Sequence, residues 1–269
     1  MKKEGLTFIF SNILFQMANS QLSKRVQSMT ESATIAMSQK SREMKSAGLD
    51  VINLSIGEPD FHTPEIIKTA AKKAIDENYS KYSPVPGFLE LREAICEKFK
   101  RDNNLNFVPS QISVSTGAKQ CIANIILALI DLGDEVLLPC PYWVSYPSQI
   151  KFAGGVPVEV KSEFSNNFKI TASELRKRIT SRTKLIIYSS PCNPSGSVFT
   201  KNELEELADV ISDHPQIIVL SDEIYEYINF TTENTSLGSI EKVKNQVITV
   251  NGLAKGYAMT GWRIGYAGG

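Results

Sequence analysis

Short apolar segments alternate with amphipathic segments of helical spacing through most of this 269-residue chain. We interpret the apolar segments at 112–114, 135–138, 156–160, 185–188, 216–220 and 247–250 as strands. Several of them are rich in valine and isoleucine, whose branched side chains pack well on a pleated surface. Regular alternation of strands with helices is typical of a mostly parallel sheet that helices cover on both faces. The predicted fold class is therefore α/β.

The N-terminal part of the chain follows a different pattern. We expect a polar, helix-bearing segment over 20–50, a short strand at 51–56, and a helix for which Thr63 is the N-terminal cap. Residues 1–16 faintly resemble a signal peptide, but Glu4 and a polar interruption of the apolar run argue against secretion. We interpret residues 1–16 as an extension without an assigned role.

The composition limits the classes of function. The 29 lysines and arginines equal the 29 aspartates and glutamates, so no net field favours nucleic acid or an anionic membrane. No apolar run approaches the roughly 20 residues that a membrane span needs. The four cysteines lack metal-type spacing, and two histidines are too few for a histidine-built metal site. We expect a cytoplasmic protein with reduced thiols and small-molecule substrates, and without metal, nucleic acid or membrane partners.

Several polar or unusual residues follow the predicted strands directly. They are Gly117-Ala118-Lys119, Trp143, Asn193, Asp222 and Lys255. In sheets of this kind, ligands bind beyond the carboxyl ends of the strands, so one shared site is expected there. A lysine at the end of a buried strand is poorly hydrated, and its amine is easily shifted to the neutral, nucleophilic form used in Schiff-base chemistry. Taken singly, each residue also has an ordinary interpretation, such as a surface charge, a helix cap, a turn or a core aromatic.

Six motifs occur in a fixed order along the chain. They are IGEPDF at 56–61, KY at 81–82 before PG at 86–87, PYWVSYP at 141–147, NPSG at 193–196, SDEIY at 221–225, and the segment around Lys255. With these motifs the sequence resembles the class I aminotransferases, which are pyridoxal-phosphate enzymes of the aspartate aminotransferase fold. The resemblance is strongest to the bacterial aspartate aminotransferase subgroup and extends from about Leu22 to the last residue.

The resemblance implies pyridoxal 5'-phosphate as the cofactor and assigns roles around its ring. Lys255 would hold the cofactor as a Schiff base and then carry the proton in catalysis. Asp222 would pair with the protonated pyridine nitrogen. Tyr225 and Asn193 would hydrogen-bond the phenolic oxygen, and Trp143 would stack on the ring.

The resemblance also implies how the phosphate is bound. The amides of Gly117 and Ala118, at the start of a helix, and the guanidinium of Arg263 would bind it. Lys119 belongs to the same cofactor-binding segment. Tyr82 would reach the phosphate of a neighbouring subunit, so a homodimer is implied.

Substrate contacts follow from the same resemblance. The residues expected at the substrate are Gly57, Trp143, Asn193, Lys119, Ser32 and Thr34. The Gly57 backbone and Asn193 would contact the substrate carboxylate. Lys119, with Ser32 and Thr34, would recognise the distal carboxylate of an acidic substrate.

The sequence departs from the family pattern at three places. Cys192 stands where asparagine is common before the Asn-Pro turn, and Gly252 stands where some family members have a phosphate-binding serine. The sequence also ends at Gly269, so we expect the C-terminal small domain, with the arginine that binds the substrate α-carboxylate, to be absent from it. We assign 1–60 to an N-terminal extension with a segment that would join the small domain, and 61–269 to the large cofactor domain.

The favoured hypothesis is a transaminase that moves an amino group from aspartate, or a similar amino acid, to a 2-oxo acid. An aromatic or prephenate aminotransferase of the same family is the alternative within that class. A catalytically inactive, cofactor-binding fragment is the alternative outside it. An unrelated nucleotide-binding α/β domain is disfavoured because neither GxGxxG after the first strand nor GxxxxGK[ST] is found.

Overall fold

The computed structural model describes residues 21–27, 29, 33–231 and 234–269. The chain divides after Ile52 into two compact units. The described part of the first unit contains the helices α1 (Lys24–Gln27) and α2 (Ala33–Ser46). Residues 1–16, which the sequence leaves without a role, lie outside the described residues.

The second unit contains a seven-stranded sheet and six further α-helices among its described residues. The strands are β1 (Ile112–Ser115), β2 (Glu135–Pro139), β3 (Val156–Val160), β4 (Thr183–Ser189), β5 (Ile218–Asp222), β6 (Val247–Gly252) and β7 (Gly265–Gly268). The helices are α3 (Glu65–Asp76), α4 (Leu89–Asn103), α5 (Ala118–Leu129), α6 (Tyr146–Ala153), α7 (Ala172–Arg178) and α8 (Lys201–Ser212). Short 3-10 turns lie at Pro109–Gln111, Phe164–Asn166, Leu237–Ser239 and Lys244–Gln246.

The sheet is mostly parallel, as the sequence predicts. Its strand order is β1-β7-β6-β5-β4-β2-β3. The pairs β2–β3, β2–β4, β4–β5 and β5–β6 are parallel, and only β7 pairs antiparallel with its two neighbours, β1 and β6. Six of the seven strands therefore run in one direction and bring their carboxyl ends to a single edge.

Helices cover both faces of the sheet, which confirms the predicted fold class. On one face, Ile122 and Ile126 of α5 and Ile150 of α6 pack against the central strands. On the other face, α7 and α8 contribute a second apolar cluster that includes Leu175 and Leu204. A third cluster around Phe99 joins α4 to β1 and β7. Among the described residues, no helix is both long enough and apolar enough to span a bilayer.

Two local predictions near the start of the second unit are wrong. Residues 51–56 form no strand, and Leu54 is 91% exposed. An apolar run becomes a strand only where another strand pairs with it, and no described strand lies beside this one. Thr63 does not cap α3: Pro64 is at the cap position, without a side-chain cap bond. The Thr63 hydroxyl instead donates to the carbonyl of Ala258 at 2.7 Å, a long-range contact that local preferences cannot reveal.

The start of α5 lies directly against the backbone of β7. A Cβ atom on Gly265 would come within 2.1 Å of the Ala118 nitrogen and 2.3 Å of the Gly117 carbonyl carbon. Both of those neighbours are backbone atoms, so neither can rotate away as a side chain would. The position of the α5 N-terminus at the edge of the sheet therefore depends on a glycine at 265.

We expect Gly265→Ala to reduce the free energy of unfolding by about 3 kcal/mol, the upper end for an overpacked core, because the new methyl group displaces the start of α5. Gly261→Ala is the matched control, since a Cβ at Gly261 meets no atom within 4 Å. Urea unfolding of the two variants measures the difference. Equal free energies of unfolding would show that the start of α5 can move away from the new methyl group without loss of stability.

Candidate active site

Asp222 is the last residue of β5 and lies in the middle of the carboxyl edge of the sheet. Its side chain is buried, and burial raises the pKa of its carboxyl group. The hydroxyl of Tyr146, the first residue of α6, donates to Oδ2 at 2.7 Å, and the amide of Ile224 donates to Oδ1 at 3.3 Å. Both hydrogen bonds lower the pKa and partly offset the desolvation. The structure thus holds one carboxyl group, already oriented, at the base of the site.

Tyr225 connects this carboxyl group to two other residues that the sequence assigns to the site. The side-chain amide of Asn193 donates to the Tyr225 hydroxyl at 3.2 Å. The Nζ atom of Lys255 lies 5.6 Å from the centre of the Tyr225 ring. Burial raises the pKa of the Tyr225 phenol, and the nearby charge of Asp222 raises it further. Three predicted site residues, Asp222 at the end of β5, Asn193 after β4 and Lys255 after β6, therefore lie around the Tyr225 phenol.

Lys255 lies three residues beyond the end of β6 and is half-buried. Its Nζ donates to the carbonyl oxygen of Gly57 at 2.5 Å. Burial lowers the pKa of this amine, while the charge of Glu58 opposes the shift. The Glu58 carboxylate is itself held by the hydroxyl of Thr260 at 2.8 Å. The environment therefore moves Lys255 toward the neutral form in which an amine is nucleophilic.

Two cations lie near the start of α5. Arg263 has a left-handed backbone conformation with φ of 60°, which is uncommon for a residue other than glycine. Its guanidinium donates to the carbonyls of Thr116 at 3.3 Å and Thr260 at 2.9 Å. The amine of Lys119 lies 4.9 Å from the centre of the Trp143 ring. Among the described residues, neither cation belongs to an ion pair, so an anion would be favoured beside them.

The backbone at Gly117 is shaped around the same guanidinium. Gly117 is the cap residue of α5, with φ of +90°, and a Cβ there would lie 2.4 Å from an Arg263 nitrogen. The Gly117 amide donates to the carbonyl of Ser115 at 2.7 Å. The first amides within a helix, starting here with Ala118, have no partner in the helix and can bind an anion.

Lys119 and Trp143 lie on the side of the site next to Tyr146. Burial lowers the pKa of the Lys119 amine, and the like charge of Arg263 lowers it further. Trp143 packs edge-on against Tyr146, with ring centroids 5.5 Å apart. A continuous series of contacts therefore runs from Lys119 to Trp143, from Trp143 to Tyr146, and from Tyr146 to the carboxyl group of Asp222.

The remaining predicted residues differ in what the structure says about them. Tyr82 is fully exposed and makes no described contact with the residues above, so a role in a neighbouring subunit stays a prediction. Ser32 lies outside the described residues, as does the side chain of Thr34 in α2. Gly252 is buried, and a Cβ there would lie 2.8 Å from the carbonyl oxygen of Ile264. In this chain a serine at 252 would therefore require the backbone of the next segment to move.

Sequence reasoning missed two parts of the site. Tyr146 lies inside the PYWVSYP motif, but nothing in the spacing identifies Asp222, 76 residues away, as its partner. Glu58 lies inside the IGEPDF motif, yet the sequence assigns only Gly57 a function there. Both residues lie inside a motif, but their partners far along the chain can be identified only from the fold.

Comparison with known proteins defines the family. Residues 49–269 match the model of the family described as aminotransferase class I and II. The chain therefore belongs to this family, which confirms the resemblance seen in the motifs.

Individual relatives agree with this assignment. An aspartate aminotransferase of Bacillus sp. strain YM-2 is 47% identical over 250 residues, which is 92% of this chain and 64% of that relative. An aspartate/prephenate aminotransferase of Cereibacter sphaeroides is also 47% identical, over 92% of this chain and 62% of its own length. The solved structure of the Thermus thermophilus aspartate aminotransferase with maleate is 46% identical, with a TM-score of 0.89, and the match covers 92% of this chain and 64% of that one.

The chain spans somewhat less than two thirds of these relatives. This coverage agrees with the expectation that the sequence lacks part of the family's length. The fold seen here accordingly corresponds to the sheet and helices of the aspartate aminotransferase fold, over about 64% of the length of that solved chain.

We expect Tyr146→Phe to lower the free energy of unfolding by about 1–3 kcal/mol, since a buried carboxylate loses a hydrogen-bond donor. The Tyr146 bond lowers the pKa of Asp222, so its stabilisation acts on the ionised form and is lost as the pH falls through that pKa. Urea unfolding over a series of pH values should therefore give a loss that becomes smaller as the pH falls through the pKa of Asp222.

Tyr142→Phe is the matched control. The Tyr142 hydroxyl donates to the exposed carboxylate of Glu159, also at 2.7 Å. Its removal should change stability by about 0.5 kcal/mol or less. If both variants lose the same stability at every pH, the buried bond to Asp222 contributes no more to stability than the exposed bond to Glu159.

Proposed function

We propose that this protein is a pyridoxal-phosphate-dependent aminotransferase that moves an amino group from aspartate, or a similar amino acid, to a 2-oxo acid. The observation that carries the proposal is the arrangement around Tyr225. Its ring lies below the Lys255 amine and its hydroxyl contacts Asn193, while the buried Asp222 carboxyl lies close enough to raise the pKa of its phenol. In this arrangement the amine, the phenol and the carboxyl group match, in that order, the aldehyde, the hydroxyl and the basic nitrogen of an aromatic cofactor ring.

The set of donors and acceptors fits pyridoxal phosphate at each of its polar groups. Asp222 would pair with the ring nitrogen, and Tyr225 with Asn193 would hydrogen-bond the phenolic oxygen. Arg263, which has no ion-pair partner in the described part of the chain, and the amide of Ala118 would hold the phosphate, an arrangement that charge-assisted bonds and a helix N-terminus favour. Trp143 would pack on the ring. Membership of a family of aminotransferases supports the same cofactor.

When bound, pyridoxal phosphate supplies an aldehyde that condenses with amines and a ring that withdraws electrons from the adjacent carbon. The work of this chain is to place and move a proton there. Lys255 would hold the aldehyde carbon and, once released by the substrate amine, would use its neutral Nζ as the base at the substrate α-carbon. The Gly57 carbonyl, which accepts from Nζ, would orient that amine. Asp222 would keep the ring nitrogen protonated.

Lys119 supports an acidic substrate. Its amine is partly desolvated beside Trp143 and Arg263 and is free of an ion-pair partner among the described residues, so a second carboxylate of the substrate would neutralise it. The names of the relatives from Bacillus sp. and Thermus thermophilus support aspartate. The name of the Cereibacter sphaeroides relative supports prephenate as a second substrate class.

We also propose a homodimer in which Tyr82 reaches the phosphate of the neighbouring subunit. Full exposure of this side chain in a single chain supports that role. An inactive, cofactor-binding fragment is the competing proposal for these 269 residues by themselves, and the incomplete coverage of the relatives supports it.

Mixing the chain with pyridoxal phosphate should produce a visible absorbance band, and borohydride reduction should fix the cofactor on the peptide that contains Lys255. Lys255→Arg should abolish both the band and the label. Lys119 is the internal control, because its amine is also shifted toward the neutral form. Label on Lys119 or any other lysine, with the band retained in Lys255→Arg, would refute the proposal.

The same sample separates the active enzyme from the inactive fragment. Addition of aspartate should bleach the band, and a 2-oxo acid should restore it. Bleaching by an aromatic amino acid alone would favour the aromatic alternative. A band that responds to neither identifies a fragment that binds the cofactor without transferring the amino group.

Arg263→Gln should weaken the binding of pyridoxal phosphate about tenfold to a hundredfold, as expected for the loss of charge-assisted hydrogen bonds. It should leave the binding of pyridoxal, which lacks the phosphate, nearly unchanged. Arg176→Gln, which alters an exposed arginine paired with Asp213, is the control and should affect neither ligand. Equal weakening of both ligands by Arg263→Gln would place the guanidinium elsewhere than at the phosphate.

A further inference from the structure

A buried cluster of charged and polar side chains lies beside the candidate site and has no role in the chemistry described above. Its carboxyl groups belong to Glu223 and Glu226, and its cation is Lys98 of α4. Asn103, the last residue of α4, lies between them. All four residues are less than 10% exposed. Buried charges of this kind are costly to maintain unless each one is paired and hydrogen-bonded.

Glu223 is the residue of this cluster that is bonded from the most directions. Its Oε1 accepts from the hydroxyls of Ser221 at 2.8 Å and Ser236 at 2.6 Å. Its Oε2 accepts from the side-chain amide of Asn103 at 3.0 Å. The three donors come from β5, from the loop before β6 and from α4. One carboxyl group thus ties three separate parts of the chain together.

The turn that follows Glu223 carries the chemistry of the candidate site. The Glu223 amide donates to the carbonyl of Val250 on β6, and its carbonyl accepts from the Glu226 amide. Asp222 precedes this residue and Tyr225 follows it by two positions. Because side chains alternate along a strand, Asp222 lies on one face of the sheet, while Glu223 joins Ser221 on the other. The backbone of this turn is therefore held by side-chain contacts on both faces of the sheet.

We infer that Glu223 is a positioning residue: its carboxyl group, held by Asn103, Ser221 and Ser236 behind the sheet, fixes the turn that presents Asp222 and Tyr225 to the cofactor. This inference rests on the proposed function for its catalytic consequence, and on the hydrogen bonds alone for its structural part. Asn103, the last residue of α4, links this helix to the cluster. Its side-chain nitrogen also donates to Glu226 at 2.8 Å, and its side-chain oxygen Oδ1 accepts from Lys98 at 2.7 Å.

The ionisable groups around Glu223 set its charge state. Glu226 on its own turn raises its pKa, Lys98 from α4 lowers it, and burial has the largest effect, so the pKa rises to about 7. The phenols of Tyr188 on β4 and Tyr266 on β7 also face this carboxyl, and its charge raises the pKa of each. With Glu223 protonated, the charges of Lys98 and Glu226 balance and the buried cluster is neutral.

The raised pKa has a defined effect on stability. The folded state binds the Glu223 proton more tightly than the unfolded state does, so this contribution is complete below about pH 4.5 and is lost as the pH rises to about 7. Glu223→Gln removes the titration. It also keeps an acceptor for the two serines but sets an amide group against the Asn103 amide. The variant should therefore loosen the turn without emptying the pocket behind it.

The test compares Glu223→Gln with Glu135→Gln by hydrogen exchange at the turn 222–228. Glu135 is a buried glutamate of the same sheet, bonded to Thr180 and Arg182 at the start of β2, at the opposite edge from the site. Glu223→Gln should lose protection at 222–228, and Glu135→Gln should not. The melting temperature of Glu223→Gln should also fall less between about pH 4.5 and pH 7 than that of the unaltered chain. Unchanged protection in Glu223→Gln would overturn the inference.

The binding of pyridoxal phosphate is the second measurement of this test. Its dissociation constant should rise about tenfold or more in Glu223→Gln, as expected when a reacting geometry shifts, and stay unchanged in Glu135→Gln. If the unaltered chain binds no pyridoxal phosphate, the proposed function fails, while hydrogen exchange still decides the positioning role. Should Glu223→Gln not fold, Ser236→Ala, which removes one donor, is expected to reduce protection of the same turn, and intact protection would refute the inference.

Discussion

Two consecutive buried carboxyl groups, Asp222 and Glu223, impose the main constraint on this fold. They lie on opposite faces of the sheet at the end of its central strand, and each must find hydrogen-bond donors because a buried carboxyl without them is costly. Tyr146, at the start of α6, supplies the donor on one face, and Asn103, at the end of α4, supplies one on the other. The ends of two helices are thereby fixed at the edge of the sheet where the site lies.

Local patterns were sufficient to predict the framework and the meeting of several site residues. Periodicity separates strands from helices, and parallel strands necessarily bring their carboxyl ends to one edge. The register bears this out, since Ser189, Asp222 and Val250 lie side by side on β4, β5 and β6. Residues a few positions beyond those ends, such as Asn193 and Lys255, were therefore predictable neighbours, and the family match over 49–269 agrees with the motifs that contain them.

The contacts that the sequence did not disclose are those between segments far apart in the chain. Tyr146 and Asp222 are 76 residues apart, and Asn103 and Glu223 are 120 apart. Helical or strand periodicity indicates which face of an element is buried, but not which polar side chain will lie opposite a given carboxyl. The same limit explains Thr63, whose hydroxyl bonds Ala258 instead of capping its own helix. It is at these long-range polar contacts that the electrostatics of the site are set.

The two principal ionisable groups of the site are both shifted toward their neutral forms. Burial lowers the pKa of Lys255 and raises that of Asp222, and no ion pair between them is found within the described part of the chain.

A direct ion pair would have the opposite effect, raising the lysine pKa and lowering that of the aspartate. The lysine would then be a poor nucleophile, and the carboxylate would already be neutralised. Because these two groups do not pair, with Tyr225 beside both, the amine would be reactive toward the aldehyde of the proposed cofactor and the carboxyl group would be available for its ring nitrogen. Arrival of that cation would restore the charge of Asp222, so protonation and ligand binding are coupled at this position.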